Sequence, residues 1–240
     1  MLIALGGAST NTAVFGITDV WTAKTICALL FPFGLGMVVI MGAELFTGNC
    51  LMGITLLDGK CSLFQMIRSW VIVYLANFVG SLLVAGGCVW FGQMDLGQGQ
   101  LAVYTMKVAA AKCAISFGNG IVLGFLCNFL VCLGVLMALS AKDSAGKIIS
   151  AYLPVAFFVL CGFEHSVANM YYISAGLLAK SVPAYAELAS QAGLDLSSLT
   201  LSNFLVSNLV PVTIGNILSG LFVSWIMWFI HLKGKKTAVK

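Results

Sequence analysis

Charge is what this chain has least of. Only 8% of its 240 residues are charged, 12 basic and 8 acidic, while 60% are hydrophobic. An ordinary soluble domain carries roughly a quarter charged residues, so so few cannot clothe a water-facing surface of this size. The net charge of +4 comes with no basic stripe, which excludes a nucleic-acid partner. Cysteine is present but unpaired in pattern. None of Cys27, Cys50, Cys61, Cys88, Cys113, Cys127, Cys132 and Cys161 forms a C-x-x-C, and seven lie in apolar runs. They are expected to act as small hydrophobes rather than as a disulfide framework or a metal site. The chain has no phosphate loop, no G-x-S-x-G, no H-E-x-x-H and no paired histidines for haem. Neither an enzyme with nameable catalytic residues nor a cofactor is expected. No basic n-region precedes Met1–Leu5, so the start is not a signal peptide.

What is there is a series of apolar runs, read as one transmembrane domain over residues 1–240. Long runs cover 25–57, 69–92, 113–140, 148–179 and 204–232, with short polar stretches between them carrying nearly all the charge. Residues 1–8 are apolar and then give way to Ser9, Thr10, Asn11 and Thr12. A crossing needs about 20 residues, so this start reads as the second half of a spanning helix whose first half is absent. Counting it, six segments are expected.

The runs 25–57 and 148–179 are too long for one straight span, and both are interrupted by polar residues and glycine. The first contains Gly42-Ala43-Glu44-Leu45-Phe46-Thr47-Gly48-Asn49, the second Gly162-Phe163-Glu164-His165-Ser166-Val167-Ala168-Asn169. Both read G-x-E-x-x-x-x-N. The helices that follow also rhyme, Asn77-Phe78-Val79-Gly80-Ser81-Leu82 against Asn216-Ile217-Leu218-Ser219-Gly220-Leu221. An odd number of spans separates the partners, so the halves, about 1–92 and 113–232, run in opposite directions. Inverted repeats of this kind place broken helices and a binding site near the membrane midplane.

Lysine and arginine give the orientation. With the C-terminus inside, Lys60, Arg68, Lys142, Lys147, Lys233, Lys235, Lys236 and Lys240 face inward; Lys24, Lys107, Lys112 and Lys180 face outward. Both termini are then cytoplasmic in a multi-pass protein of the plasma (inner) membrane.

Three ionisable side chains fall deep in apolar runs: Glu44, Glu164 and His165. An unpaired carboxylate in hydrocarbon is costly. Glu44 and Glu164, with Asn49 and Asn169, are expected to hold the broken backbone rather than touch an anionic substrate. His165 is either a satisfied core histidine or, beside unwound backbone, a proton donor to a permeating weak-acid anion. Asn128 shares a helix face with Gly120 and Gly124, so it either bonds a neighbouring helix or reaches His165. Thr47 and Ser166 offer hydroxyls at the breaks. Phe31, Leu35, Leu45, Phe46 and Phe158 lie near them, as packing or as a hydrophobic gate.

The G-x-E-x-x-x-x-N runs, Cys127-Asn128-Phe129-Leu130-Val131-Cys132-Leu133, and Gly215-Asn216-Ile217-Leu218-Ser219-Gly220 together resemble the formate/nitrite transporter family, over essentially the whole chain. The run Gly162 to Met170 is the most specific. The resemblance implies an all-α, aquaporin-like six-helix bundle with broken second and fifth helices, assembled as a homopentamer with a pore in each protomer. It implies transport of formate, nitrite or hydrosulfide, and in some members lactate. By position, His165 would be the central pore histidine with Asn128 as its hydrogen-bond partner, and Thr47 would belong to the first break. Leu35, Leu45 and Phe158 would form the cytoplasmic constriction, with Phe31 toward the outside. Glu164 would brace the break, and Lys112 would be a vestibule lysine drawing anions in. The family's amphipathic N-terminal helix, second vestibule lysine and complete first span have no counterpart in these residues.

The function expected is a channel or proton-coupled carrier for formate or a similar anion, with protonation linked to His165. A purely geometric channel competes within the class. An aquaporin-like neutral-solute channel, which the missing Asn-Pro-Ala pairs disfavour, and a non-transport membrane subunit or enzyme compete from outside it.

Overall fold

Glycine in the left-handed region, more than hydropathy, decides where the long apolar runs stop being helix. The computed structural model describes residues 1–233. Lys235, Lys236 and Lys240, counted above toward the inner face, lie outside the described residues. The chain is all helical, in the order α1 (Leu2–Val14), α2 (Val20–Leu30), α3 (Phe33–Met41), α4 (Phe46–Asn49), α5 (Met52–Leu57), α6 (Leu63–Trp90), α7 (Gln100–Cys113), α8 (Phe117–Ser140), α9 (Ser144–Cys161), α10 (Ser166–Lys180), α11 (Pro183–Gln191) and α12 (Val210–His231). A π-helical turn over Asn203–Leu209 leads into α12. Among the described residues five stretches are long and apolar enough to cross a membrane: Val20–Met41, Leu63–Trp90, Phe117–Ser140, Ser144–Cys161 and Asn203–His231. Helix α1, at 13 residues, is shorter than the roughly 20 a crossing needs.

The two interruptions are built alike. Helix α3 ends at Gly42 with φ +64°, and α9 ends at Gly162 with φ +72°. In each case the following amide reaches back over the last turn, Ala43 N–H to Val38 O at 2.9 Å and Phe163 N–H to Phe158 O at 3.0 Å. This is the Schellman closure, which satisfies the carbonyls a helix end would leave bare. The chain then runs extended to Leu45 and His165, and a new helix starts at Phe46 and Ser166.

Each extended stretch is held by an asparagine from the helix predicted to follow it. Asn77 on α6 accepts from Phe46 N–H at 3.0 Å and donates to Glu44 O at 3.1 Å. Asn216 on α12 accepts from Ser166 N–H at 3.0 Å and donates to Glu164 O at 3.3 Å. The repeated glycine, glutamate and asparagine are therefore one device used twice.

Small residues bring α8 and α12 together backbone to backbone, as the Gly120–Gly124 face predicts. A Cβ on Gly215 would strike the Ile121 carbonyl and Phe125 amide, and one on Gly124 would lie 2.7 Å from Val212 O. Such close approach replaces the hydrophobic effect as the association force where the solvent is lipid. It also lets Asn216 Nδ2 reach Gly124 O at 2.8 Å.

Two stretches read as polar connections hold helices. Residues 93–112 contain most of α7 and residues 181–203 contain α11. Both are too short and too polar to register as spans, yet α7 packs on α10 with Ala109 and Ala110 buried.

Candidate functional site

The first turns of α4 and α10 meet inside the bundle, and the polar contact between them is the centre of the site. Thr47 Oγ1 lies 2.9 Å from His165 Nε2, with both residues buried. His165 is the N-cap of α10, and its Nδ1 accepts the Ala168 backbone N–H at 3.1 Å. An imidazole that accepts at Nδ1 carries its proton at Nε2, so His165 is neutral here and donates from Nε2 to Thr47 Oγ1. A second proton on Nδ1 would face the Ala168 N–H head-on.

Around this point the side chains are apolar. A cavity is lined by Ile3, Phe31, Leu35, Leu45, Val131, Val155, Phe158 and His165. Its free space is about 10 Å³, at the lower bound of what one water occupies, roughly 10–15 Å³. The Phe158 ring lies flat on the His165 ring, 5.9 Å between centroids and 10° between planes. Phe31 meets Phe158 edge-on at 5.9 Å. Pro32, lacking an N–H, interrupts the Val20–Met41 stretch at this level and separates α2 from α3.

Beside His165 sits the one buried ion pair among the described residues. Lys112, in the last turn of α7, reaches both oxygens of Glu164, at 2.9 and 3.1 Å. Asn169 Nδ2 donates to Glu164 Oε2 at 2.6 Å and to Asn208 Oδ1 at 2.8 Å. Asn208 in turn donates to Lys112 O at 2.8 Å. Both charges are thus satisfied within the protein, while Asn169 Oδ1 is buried without a hydrogen-bond partner.

The structure brings Phe31, Leu35, Leu45, Phe158, His165 and Thr47 together and places other assigned residues differently. Asn128 does not bond His165. Its Nδ2 donates to Asn216 O at 2.7 Å, because the glycine-rich face it shares turns toward α12. Phe46 is not in the constriction. As the first residue of α4 it turns outward onto α6, against Tyr74 (4.8 Å) and Trp70 (6.3 Å), and lines a groove of about 380 Å³ on the chain's outer face. Lys112 is not a free vestibule lysine, since Glu164 takes up its charge. Glu44 lies on the surface of the single chain, and its carboxylate accepts from Asn49 Nδ2 at 2.5 Å. The glutamate side chains do not hold the broken backbone; Asn77 and Asn216 do.

Sequence reasoning missed Ile3, Val131 and Val155. The last two stand three residues from Asn128 and Phe158, a helical spacing that would have found them. It also missed Tyr172, whose hydroxyl is 2.9 Å from Thr10 Oγ1 and whose ring lies 6.5 Å from Phe31 and 5.5 Å from Lys112 Nζ.

The chain resembles known proteins over most of its length. Residues 1–230 match the family model described as formate/nitrite transporter. The formate channel FocA of Haemophilus influenzae is 40% identical over 203 residues, 82% of this chain and 70% of that one. FocA of Escherichia coli K12 is 36% identical over 227 residues, 93% and 78% of the two chains. Among solved structures, a pentameric formate channel with formate bound superposes with a TM-score of 0.81 at 33% identity, covering 97% of this chain and 96% of that one.

Proposed function

The chain belongs to the formate/nitrite transporter family, and from that premise we propose that it is a homopentameric, multi-pass channel for small monovalent weak-acid anions, formate first among them. The observation that supports this best is the cavity: seven apolar side chains and one imidazole N–H. A carboxylate entering that ring as an ion loses several kcal/mol of hydration. The neutral acid does not, and its oxygen can take the Nε2–H that Thr47 now accepts. His165 then acts as a fixed neutral donor that orients the substrate at the narrowest point, while the substrate's own proton is drawn from water at the mouth.

A literal relay through His165 would require Nδ1 to pick up a proton as Nε2 gives one away, and Ala168 N–H occupies Nδ1. The hydrogen-bond pattern therefore favours the donor role. Lys112 and Glu164 serve as a locked pair that ties the end of α7 to the first turn of α10 through Asn169. Leu35, Leu45 and Phe158 form the constriction, with Phe31 toward the Lys112 side. The inner membrane, with both termini cytoplasmic, is the location proposed, and no catalytic step accompanies transport.

Proteoliposome uptake of formate, nitrite and hydrosulfide tests the reading. Formate is expected to enter fastest, with rate rising as pH falls. His165→Asn, which keeps an N–H donor, should retain much of that flux, and His165→Phe should lose it. Swelling with water or glycerol alone, without anion uptake, would instead support the neutral-solute channel.

A further inference from the structure

The groove that Phe46 lines plays no part in the pore, and neither does the chain's one arginine, Arg68, at the groove's end. We infer that the two form a phospholipid site, in which the groove seats an acyl chain and Arg68 pairs with the phosphate of an anionic headgroup. The inference does not depend on which solute the pore carries. Three observations point to it.

First, the groove is built for hydrocarbon. Helix α6 supplies one wall, from Ile67 to Leu75, and α12 the other, from Val210 to Ile217, with about 380 Å³ of space between them. Eight residues of helix rise about 12 Å, most of the roughly 15 Å of hydrocarbon in one leaflet. The hydroxyls in the walls, Tyr74 and Thr213, engage each other at 2.9 Å. The Trp70 Nε1–H is taken by Asn49 O at 2.9 Å. The walls therefore present apolar surface to whatever lies in the groove.

Second, the groove ends at an unpaired cation. Arg68 precedes Val71 by three residues and Leu75 by seven, which puts it on the groove-side stripe of α6. It is exposed, and its guanidinium has no ion-pair or hydrogen-bond partner among the described residues. It also stands five residues, about 7.5 Å, inside the start of α6 at Leu63, where Phe64 is 75% exposed. A charge at that depth is costly unless its long stem carries it to an anion at the interface. Basic residues beside clefts between spanning helices are where lipid phosphates bind, and a guanidinium matches a phosphate bidentately.

Third, the protein has no acid to offer in the phosphate's place. The acids at this end of the bundle are both engaged, Asp58 with Lys60 at 2.9 Å and Asp143 with the Gly146 N–H at 2.8 Å. A neighbouring copy crossing the membrane in the same direction would bring the same two engaged acids to this level. Charge complementarity therefore favours a lipid over a second copy as the occupant.

The experiment is quenching of tryptophan fluorescence in proteoliposomes of the full-length protein by phospholipids brominated along their chains. The Trp70 component is taken as wild type minus Trp70→Phe. Brominated phosphatidylglycerol and brominated phosphatidylcholine are compared at equal fraction in a phosphatidylcholine bilayer. Wild type is expected to prefer phosphatidylglycerol at Trp70 about five-fold, the attraction one basic residue contributes at an anionic leaflet. Arg68→Gln should remove the preference while phosphatidylcholine still quenches, and Arg68→Lys should keep part of it. Val71→Phe, which fills the groove, should weaken quenching by both lipids.

Equal quenching by the two lipids in wild type would overturn the inference, as would a preference that survives Arg68→Gln. So would the absence of quenching by either lipid, the result expected if a neighbouring copy of the chain fills the groove. If Trp70→Phe does not assemble, the phospholipid that co-purifies with wild type and with Arg68→Gln decides, measured by mass spectrometry. Phosphatidylglycerol retained by wild type and lost from Arg68→Gln is expected; equal amounts in the two would overturn the inference.

Discussion

Replacing Asn216 by alanine should damage the protein more than replacing Asn77, although the two hold their breaks with the same pair of hydrogen bonds. Asn216→Ala strands the Ser166 N–H and the Glu164 carbonyl, at residues that are 0% and 6% exposed. A buried polar group left without a partner costs about 1–3 kcal/mol, so the loss is about 2–6 kcal/mol before any cavity is counted. The Gly124 carbonyl also loses a donor, but it lies within α8 and keeps its place in that helix's own ladder. Asn77→Ala strands the buried Phe46 N–H in the same way. Its other partner is the carbonyl of Glu44, a residue exposed on the single chain. The cost there is about 1–3 kcal/mol. The measurement is the fraction of native oligomer surviving a temperature series in detergent, read by size-exclusion chromatography with intrinsic tryptophan fluorescence. Rank order is the robust readout, because unfolding of membrane oligomers is a rate as much as an equilibrium. The order expected is wild type, then Asn77→Ala, then Asn216→Ala. Equal losses, or a larger loss for Asn77→Ala, would refute the reasoning that burial of the stranded groups sets the difference.

Breaking the Lys112–Glu164 pair from one side should cost about 3–5 kcal/mol, whereas Lys112→Met combined with Glu164→Gln should recover most of it. Additive losses in a thermal-stability cycle would show that the pair does not act as a unit. Gly220→Ala would set a Cβ against Cys50 and Asn128 and is expected to lose about 1–3 kcal/mol. Gly87→Ala, on an open face of α6, should be neutral or gain up to about 1 kcal/mol; a similar loss for both would argue against the close packing of α12 on Cys50 at the end of α4. Leu35→Ala should open the constriction beyond single-water size and admit water, measured as osmotic shrinkage of proteoliposomes. Unchanged water flux would place the narrowest point elsewhere.

The breaks were legible because each function left a residue type that a plain lipid-spanning helix would not carry. Glycine was needed for the left-handed turn, and asparagine on the following helix was needed to hold the exposed backbone. Both recur in both halves. The apolar ring was legible in part, since Phe31 and Leu35 share a helix stripe, but helical periodicity lapses in the extended stretch 43–45. There only the backbone decides that Leu45 faces the cavity and Phe46 faces α6. Lys112 was misplaced for a different reason. A lysine that ends a short helix, in a stretch too polar to span, looks solvated until a buried carboxylate from 52 residues away is found opposite it. Asn128 was half legible: its glycine-lined face announced a close neighbour but not which one. The polar network of Asn169, Asn208 and Lys112 joins residues far apart in sequence, and no local pattern encodes it.

The smallness of the cavity has a consequence for the cell's energy supply. Protons cross membranes quickly along files of hydrogen-bonded water, and a space of about 10 Å³ ringed by phenylalanine, leucine and valine holds one molecule at most. In this conformation the pore cannot sustain such a file. On the channel reading proposed above, a pore of this shape would leave a proton gradient across its membrane intact between transport events.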